Sequence, residues 1–250
     1  MIESIRKEKR PVLLLDSGAV FGLQIDHANA ELHLKAMERM GYDALNLDIP
    51  ELHFGKKFLE DARSQVSFPY IASNLLYEGG RLPWIQEYVI KEVGGVKVAI
   101  LGVLDPEDLK QISGLDNAKG FEAISPQAAL ARLVPEIRLK ADLVVLLSQF
   151  GELGEKKIRA LVEAVPGIDV AVFSEKNYLV QPPEKNVIFL ETKNRGRLIG
   201  LVTITLDSKG ARSVGERRLI QLDKSVPDNG EILGLVQTYK KEQEIKQEKH

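Results

Sequence analysis

An α/β fold with mixed β-sheets is predicted by two patterns in the sequence. Short, continuous apolar runs, such as residues 12–15 and 143–147, are typical of strands buried on both faces. They alternate with helical segments over the first two thirds of the chain, whereas later apolar runs lie close together and favour antiparallel pairing. A chain of 250 residues with 44% apolar and 28% charged residues can bury the core that this fold requires.

The first half of the chain begins with a charged segment and then alternates strands and helices. Pro11 ends the first helix, Asp26 is the predicted N-cap of the second, and Gly41 ends that second helix. The predicted elements are a helix over 2–10, a strand over 12–15, a helix over 26–40, a strand over 44–47, a helix over 56–64 and a strand over 70–72.

A hairpin comes next, because apolar segments flank Gly94-Gly95, a pair typical of tight two-residue turns. Ser125 followed by Pro126 predicts the start of a further helix. The remaining predicted elements are hairpin strands over 88–90 and 96–101, a helix over 125–140, a strand over 143–147, a helix over 153–165, a strand over 170–173, closing antiparallel strands over 187–190, 199–206 and 217–222, and a helix over 229–247. We expect one domain over residues 1–228, followed by a C-terminal helix and charged tail over 229–250.

Composition excludes several classes of function. The 36 acidic and 34 basic side chains give a net charge of −2, which argues against a nucleic-acid-binding surface. The absence of cysteine excludes disulfides, thiolate metal sites and a cysteine nucleophile. The apolar runs are too short to span a bilayer, and the charged N-terminus carries no apolar leader. The chain as given is therefore expected in the cytoplasm, or in the periplasm if an export signal precedes residue 1.

Polar residues follow the predicted strands at the positions where α/β proteins bind ligands, outside the carboxyl ends of the strands. Because these ends share one edge of a sheet, the residues there are the candidates for a binding or catalytic site. They are Asp16, Asp48, Glu51, His53, Gln149, Glu175 and Asn177.

Each candidate also has a structural interpretation. Asp16 either bonds the N–H groups of a turn or serves as a site carboxylate. Asp48, Glu51 and His53 form either an ordinary polar loop or a replacement ligand site. Glu175 either lines that site or makes an ion pair between neighbouring loops.

Seven segments together carry a resemblance to a known family. They are PVLLLDSGAVF, AMERMGYDALNLDIPELHFG, FPYIASNLL, YVIKEVGGVKVAILGVL, DLVVLLSQFG, VPGIDVAVFSEKN and NRGRLIGLVTITLD. In order and spacing they resemble the catalytic domain of the bacterial 5′-nucleotidases and UDP-sugar hydrolases, which are calcineurin-like metallophosphoesterases. The resemblance covers residues 4–240 and implies a four-layer sandwich of two mixed β-sheets flanked by helices, with Asn74 at the site. The family's opening strand would precede residue 1, so we expect that strand to be absent and the exposed edge to favour a homodimer.

The resemblance also implies a site in which carboxylate, amide and imidazole groups hold two divalent ions ~3.5–4 Å apart. At positions that it assigns to this chemistry the chain has Ala19, Ile49, Pro50, Gln149, Glu175 and Asn177. Alanine, isoleucine and proline side chains cannot ligate a metal. The sequence therefore predicts a degenerate member without a cofactor, which binds a small-molecule or protein ligand through the former active-site cleft. The alternative is a phosphoesterase with a rebuilt site for a divalent metal such as manganese or zinc.

Overall fold

A computed structural model describes residues 1–8, 11–22, 26–151, 154–174, 187–191, 196–207 and 210–247. The helices are α1 (Ile2–Lys7), α2 (His27–Met40), α3 (Ile49–Leu52), α4 (Gly55–Arg63), α5 (Pro106–Ile112), α6 (Pro126–Ile137), α7 (Gly154–Ala164) and α8 (Gly230–Gln247). The strands are β1 (Leu15–Asp16), β2 (Ala44–Asn46), β3 (Tyr70–Ile71), β4 (Leu75–Tyr77), β5 (Ile85–Gln86), β6 (Tyr88–Val93), β7 (Val96–Val103), β8 (Phe121–Ala123), β9 (Leu143–Ser148), β10 (Val170–Phe173), β11 (Ile188–Glu191), β12 (Leu198–Leu206) and β13 (Arg212–Gln221).

Two main sheets confirm the predicted α/β class. The first has the strand order β1-β2-β3-β5, and its pairs in the described ranges are all parallel. The second has the order β11-β10-β9-β7-β6 and is mixed, since only β6 and β7 pair antiparallel. Two antiparallel pairs, β4 with β8 and β12 with β13, complete the described sheet structure.

Three hydrophobic cores separate four layers. One core joins α2, α4 and α5 to the first sheet, and a second joins α6 and α7 to the outer face of the second sheet. The third lies between the two sheets and includes Ile71 of β3, Ile100 of β7 and Val145 of β9. The order is therefore helices, sheet, sheet, helices, as the predicted sandwich requires. No helix in the described ranges combines the length and the apolar character needed to cross a bilayer.

Local signals placed several elements correctly. The Asp26 side chain accepts a hydrogen bond from the Asn29 N–H at 2.7 Å and caps α2, as predicted. Gly41 ends that helix in the left-handed region, with φ at +71°. Gly94 and Gly95, with φ at +61° and +81°, form the predicted turn between β6 and β7.

Two predictions about this part of the fold were wrong. The segment that became β11 was expected to pair antiparallel, but it runs parallel to β10, with Val170 opposite Ile188. The stretch between these strands exceeds a dozen residues, which suffices for a crossover, and an apolar run does not encode strand direction. Residues 49–52, expected in a loop, form α3, since Pro50 at the start of a helix needs no hydrogen-bond partner for its nitrogen.

The C-terminal helix α8 packs on α2. Arg39 pairs with Glu231 at 2.7 Å, and the Asn29 Nδ2 group donates to the Tyr239 hydroxyl at 3.3 Å. The boundary at residue 228 stays a prediction.

Candidate functional site

The carboxyl ends of strands from both sheets meet at one edge of the sandwich. Asn46, the last residue of β2, donates from Nδ2 to the carbonyl oxygens of Ser17 at 2.9 Å and Val103 at 3.2 Å. Val103 ends β7 and lies opposite Ser148, which ends β9. The residues that follow β1, β2, β7 and β9 therefore surround a common edge, which we call the strand-end site (Asp16, Asn46, Asp48, Glu51, Asp105, Ser148 and Gln149).

A second connection behind this edge fixes the spacing of the two sheets. The Ser73 N–H donates to the Gly102 carbonyl at 2.6 Å, and the Ser73 hydroxyl oxygen accepts from the Gly102 N–H at 3.2 Å. A Cβ at position 102 would lie 2.1 Å from Asn46 Oδ1. Only glycine at this position lets the buried Asn46 amide lie between the sheets.

Glu51 organises the backbone of the strand-end site. It is completely buried, and its two carboxylate oxygens accept the N–H groups of Phe21 at 2.9 Å, Asp48 at 3.0 Å and Ala19 at 3.1 Å. Its carboxylate thus joins the loop after β1 to the first turn of α3. Burial raises the pKa of Glu51 to about 7 and outweighs the three hydrogen bonds, which act in the opposite direction.

Two further carboxyl groups lie beside Glu51. Asp16 is partly buried and accepts the Gly18 N–H at 2.9 Å, and burial raises its pKa to about 6. Asp48 is 4% exposed, and burial together with the neighbouring Glu51 carboxyl raises its pKa well above the ordinary value. The Oδ1 atom of Asp48 has no hydrogen-bond partner within the described ranges. Burial at this site therefore favours the protonated forms of Asp16, Asp48 and Glu51.

The loop after β1 contains two consecutive residues with positive φ angles. Gly18 has φ at +107°, and a Cβ there would lie 2.9 Å from the Asp48 Cβ. Ala19 has φ at +60°, a left-handed conformation that costs a residue with a Cβ ~1–2 kcal/mol. Ala19 stands where the family resemblance assigns a metal-bridging aspartate, and its methyl group offers no donor atom.

The other described candidates have distinct surroundings. His53 follows the last residue of α3, and its buried Nδ1 atom has no partner within the described ranges. Asn74 donates to the carbonyls of Leu104 at 3.0 Å and Ile124 at 2.9 Å and accepts the Leu104 N–H at 3.1 Å, so its amide holds backbone segments together. Gln149 has a buried Oε1 atom, also without a partner there.

Two candidates, Glu175 and Asn177, lie outside the described residues, so their predicted roles stay predictions. Ile49 and Pro50 occupy the first turn of α3, where the resemblance assigns an asparagine ligand and a histidine. Considering only the residues that the structure describes, no group of three or more aspartate, glutamate and histidine side chains is placed to hold a metal ion.

The sequence interpretation missed an ion pair at the same edge. Asp105, 6% exposed, caps α5 by accepting the Glu107 N–H at 3.0 Å, and it also accepts a hydrogen bond from the Lys157 ammonium of α7. Asp108 accepts the Gly151 N–H at 3.1 Å. Asp105-Pro106, like Ser125-Pro126, is an N-cap residue followed by proline, so the start of α5 could have been predicted from the sequence. The pairing of Asp105 with Lys157 could not.

Asn46 was also missed. Its signal is an amide inside an otherwise apolar strand, where a buried polar group must find hydrogen-bond partners. Those partners are the two carbonyl groups already described, at strand ends far away in the sequence.

Comparisons with known proteins find relatives named as metallophosphoesterases and 5′-nucleotidases. No family model matches the chain. A protein named uncharacterized metallophosphoesterase YunD, from Bacillus subtilis, is 32% identical over 145 residues, which cover 56% of this chain and 30% of that protein. The 5′-nucleotidase of Rattus norvegicus is 29% identical over 225 residues, which cover 80% of this chain and 37% of that protein. The chain thus spans about a third of the length of these two relatives.

The fold comparison supports the same class. The crystal structure of a 5′-nucleotidase precursor from Thermus thermophilus superposes with a TM-score of 0.80 and 20% sequence identity, over 95% of this chain and 51% of that chain. The architecture is therefore that of the calcineurin-like phosphoesterases. Together with the sequence relatives, this fold supports a place for the chain in the 5′-nucleotidase/calcineurin-like phosphoesterase family.

Proposed function

We propose that this 5′-nucleotidase-like domain does not hydrolyse phosphate esters by two-metal catalysis. Instead, its strand-end site binds a small polar ligand that offers hydrogen-bond donors.

The proposal rests on the hydrogen bonds that the Glu51 carboxylate accepts from the backbone. Both of its oxygens accept backbone N–H groups, so Glu51 supports the loop around Ala19 and the first turn of α3. Ala19, Ile49 and Pro50 carry no donor atom at positions that the resemblance assigns to metal ligands or to catalysis. A two-metal centre needs several such donors arranged around both ions, and the described donors do not fit one.

The ligand chemistry is inferred from atoms without partners. Asp48 Oδ1, Gln149 Oε1 and Ser148 Oγ are buried and lack hydrogen-bond partners in the described part of the chain. A buried polar atom left unpaired costs ~1–3 kcal/mol. The Gln149 amide oxygen can only accept, so a ligand with O–H or N–H groups complements it. Because the pKa of Asp48 is raised, its Oδ1 atom accepts as a carboxylate or donates when it carries the proton.

The competing function is hydrolysis at a rebuilt divalent-metal site. The same Asp48 and Gln149 oxygens favour it, because hard cations prefer oxygen ligands. The two functions differ in the role of Asp48. In ligand binding Asp48 forms a hydrogen bond with a neutral ligand, whereas in metal-dependent hydrolysis its charged carboxylate ligates the cation.

Hydrolysis of p-nitrophenyl phosphate with added manganese or zinc separates these functions. We expect the rate to equal that of a heat-denatured sample, and an Asp48→Asn variant to behave identically. Metal-dependent, saturable hydrolysis that Asp48→Asn abolishes would overturn the proposal and support the rebuilt site.

Ligand binding is tested with D-ribose, a neutral probe rich in hydroxyl groups. We expect ribose to raise the melting temperature of the wild type but not that of a Gln149→Leu variant, which lacks one acceptor. An identical response of the two proteins would contradict the assigned ligand chemistry.

A further inference from the structure

A cavity of about 380 Å³ lies at the end of the second sheet that is opposite to the strand-end site. Asp169 directly precedes β10 and Val187 directly precedes β11, so the cavity lies at the amino ends of these strands. Three arginines line it, each from a different part of the fold: Arg138 after α6, Arg159 in α7 and Arg212 at the start of β13. The inference drawn from this cavity is independent of the strand-end site.

A buried carboxylate holds two of these arginines together. Asp169 has a side chain that is 3% exposed, and its Oδ2 atom accepts the Val144 N–H and the Arg138 Nη1 group, both at 2.7 Å. Its Oδ1 atom accepts from Arg212 Nη1. Two guanidinium groups therefore share the single carboxylate of Asp169.

The arginine side chains are held in place but remain accessible. Gly167 has φ at +107°, and a Cβ there would lie 3.3 Å from the Arg138 Cγ, so the stem of Arg138 passes closely over this glycine. The side chains of Arg138 and Arg212 are 37% and 26% exposed. Each guanidinium has five N–H groups in a planar fork. Apart from a 3.5 Å contact of Arg138 Nη1 with the Asp142 carbonyl, the N–H groups not bonded to Asp169 have no partner among the described residues and can donate to an anion in the cavity.

The rest of the cavity restricts the charge and shape of a ligand. Arg159 pairs with Glu155 at 2.8 Å and lies 4.4 Å from the centre of the Phe189 ring, so its charge is balanced locally. Glu163 also lines the cavity, so the described lining contains two carboxylates and three guanidinium groups, a balance that disfavours a doubly charged anion. The apolar part of the lining includes Val162, Ile168, Val187 and Phe189.

We propose that this cavity binds a small monocarboxylate with an apolar or aromatic body. The ligand carboxylate accepts N–H groups from Arg138 and Arg212, because planar guanidinium groups match carboxylates in geometry. The apolar body packs against Ile168 and Phe189, in a volume at the lower end of the range for small-molecule sites.

The test uses benzoate as the probe, with benzyl alcohol as its uncharged counterpart and phenyl phosphate as its dianionic one. Ligand-detected NMR titrations of the full chain measure each dissociation constant. We expect saturable binding of benzoate, and weaker binding of both other probes. Arg212→Gln should weaken benzoate binding at least about tenfold, the scale of a lost charge-assisted hydrogen bond.

Arg218→Gln is the matched control, because Arg218 lies on the same strand, is 45% exposed and pairs with Glu216 away from the cavity lining. It should leave benzoate binding unchanged. Arg138→Gln is a second test of the cluster and should act like Arg212→Gln; circular dichroism verifies that each variant is folded. Absence of saturable benzoate binding, equal binding of benzyl alcohol, tighter binding of phenyl phosphate, or full affinity in a folded Arg138 or Arg212 variant would overturn the proposal.

Discussion

Replacement of Glu51 by glutamine should change how the stability of the protein depends on pH. Two effects compete at this side chain. Complete burial favours the neutral acid, whereas the three backbone N–H groups bonded to its oxygens favour the carboxylate. The structure indicates that burial wins, and the glutamine variant tests this because it cannot ionise.

The size of the effect follows from the pKa. Burial raises the pKa of Glu51 from 4.5 to about 7. The folded protein therefore holds this proton more tightly than the unfolded chain does. The contribution of Glu51 to the free energy of unfolding is complete below about pH 4.5, falls as the pH rises, and is lost above about pH 7. At ~1.4 kcal/mol per pH unit, the loss amounts to about 3 kcal/mol.

Urea unfolding of the wild type and of Glu51→Gln, at about pH 5 and about pH 8, measures this difference. The glutamine NH2 group cannot accept a backbone N–H, so the variant should lose a constant amount of stability at both pH values. Between the lower and the higher pH, the stability of the variant relative to the wild type should shift by about 3 kcal/mol in favour of the variant. Glu60→Gln, at an exposed position of α4, is the control and should show no such shift.

A difference between wild type and Glu51→Gln that does not vary with pH would refute this reasoning. A shift in favour of the wild type at high pH would do so as well. The first result would mean that the three N–H groups balance the cost of burying the charge, and the second that they outweigh it.

Four other substitutions, at three positions, test the packing around both sites. Gly102→Ala should lower the free energy of unfolding by about 3 kcal/mol, because the new methyl group overlaps the Asn46 amide, and urea titration measures this. Ala19→Gly should be neutral or stabilising by up to ~1 kcal/mol, and Ala19→Val destabilising, since φ is +60° at this position; differential scanning calorimetry compares them. Asp169→Ala should cost about 2 kcal/mol, less than for a fully buried pair because its arginine partners are partly exposed, and high salt should reduce the loss measured by urea unfolding.

Local signals explain most of what the sequence predicted. The cap at Asp26, the stop at Gly41 and the turn at Gly94 depend on neighbouring residues, and all three were confirmed. The strand ends were also located well enough to nominate Asp16 and Asp48.

The unpredicted features depend on contacts between distant parts of the chain. Glu51 bonds a loop 30 to 32 residues earlier, and Arg212 reaches Asp169 across 43 residues. Neither pairing leaves a pattern in the local sequence, because each side chain finds its partner only after the sheets assemble. The parallel direction of β11 belongs to the same group, since it follows from the path of the chain between two strands.

Elemental analysis of purified, untreated protein tests the central claim most directly. The account predicts manganese, iron and zinc contents well below one ion per chain. The carboxyl groups of the strand-end site accept backbone N–H groups and favour their protonated forms, and the neighbouring positions carry hydrocarbon side chains. Recovery of two equivalents of any of these metals would contradict it.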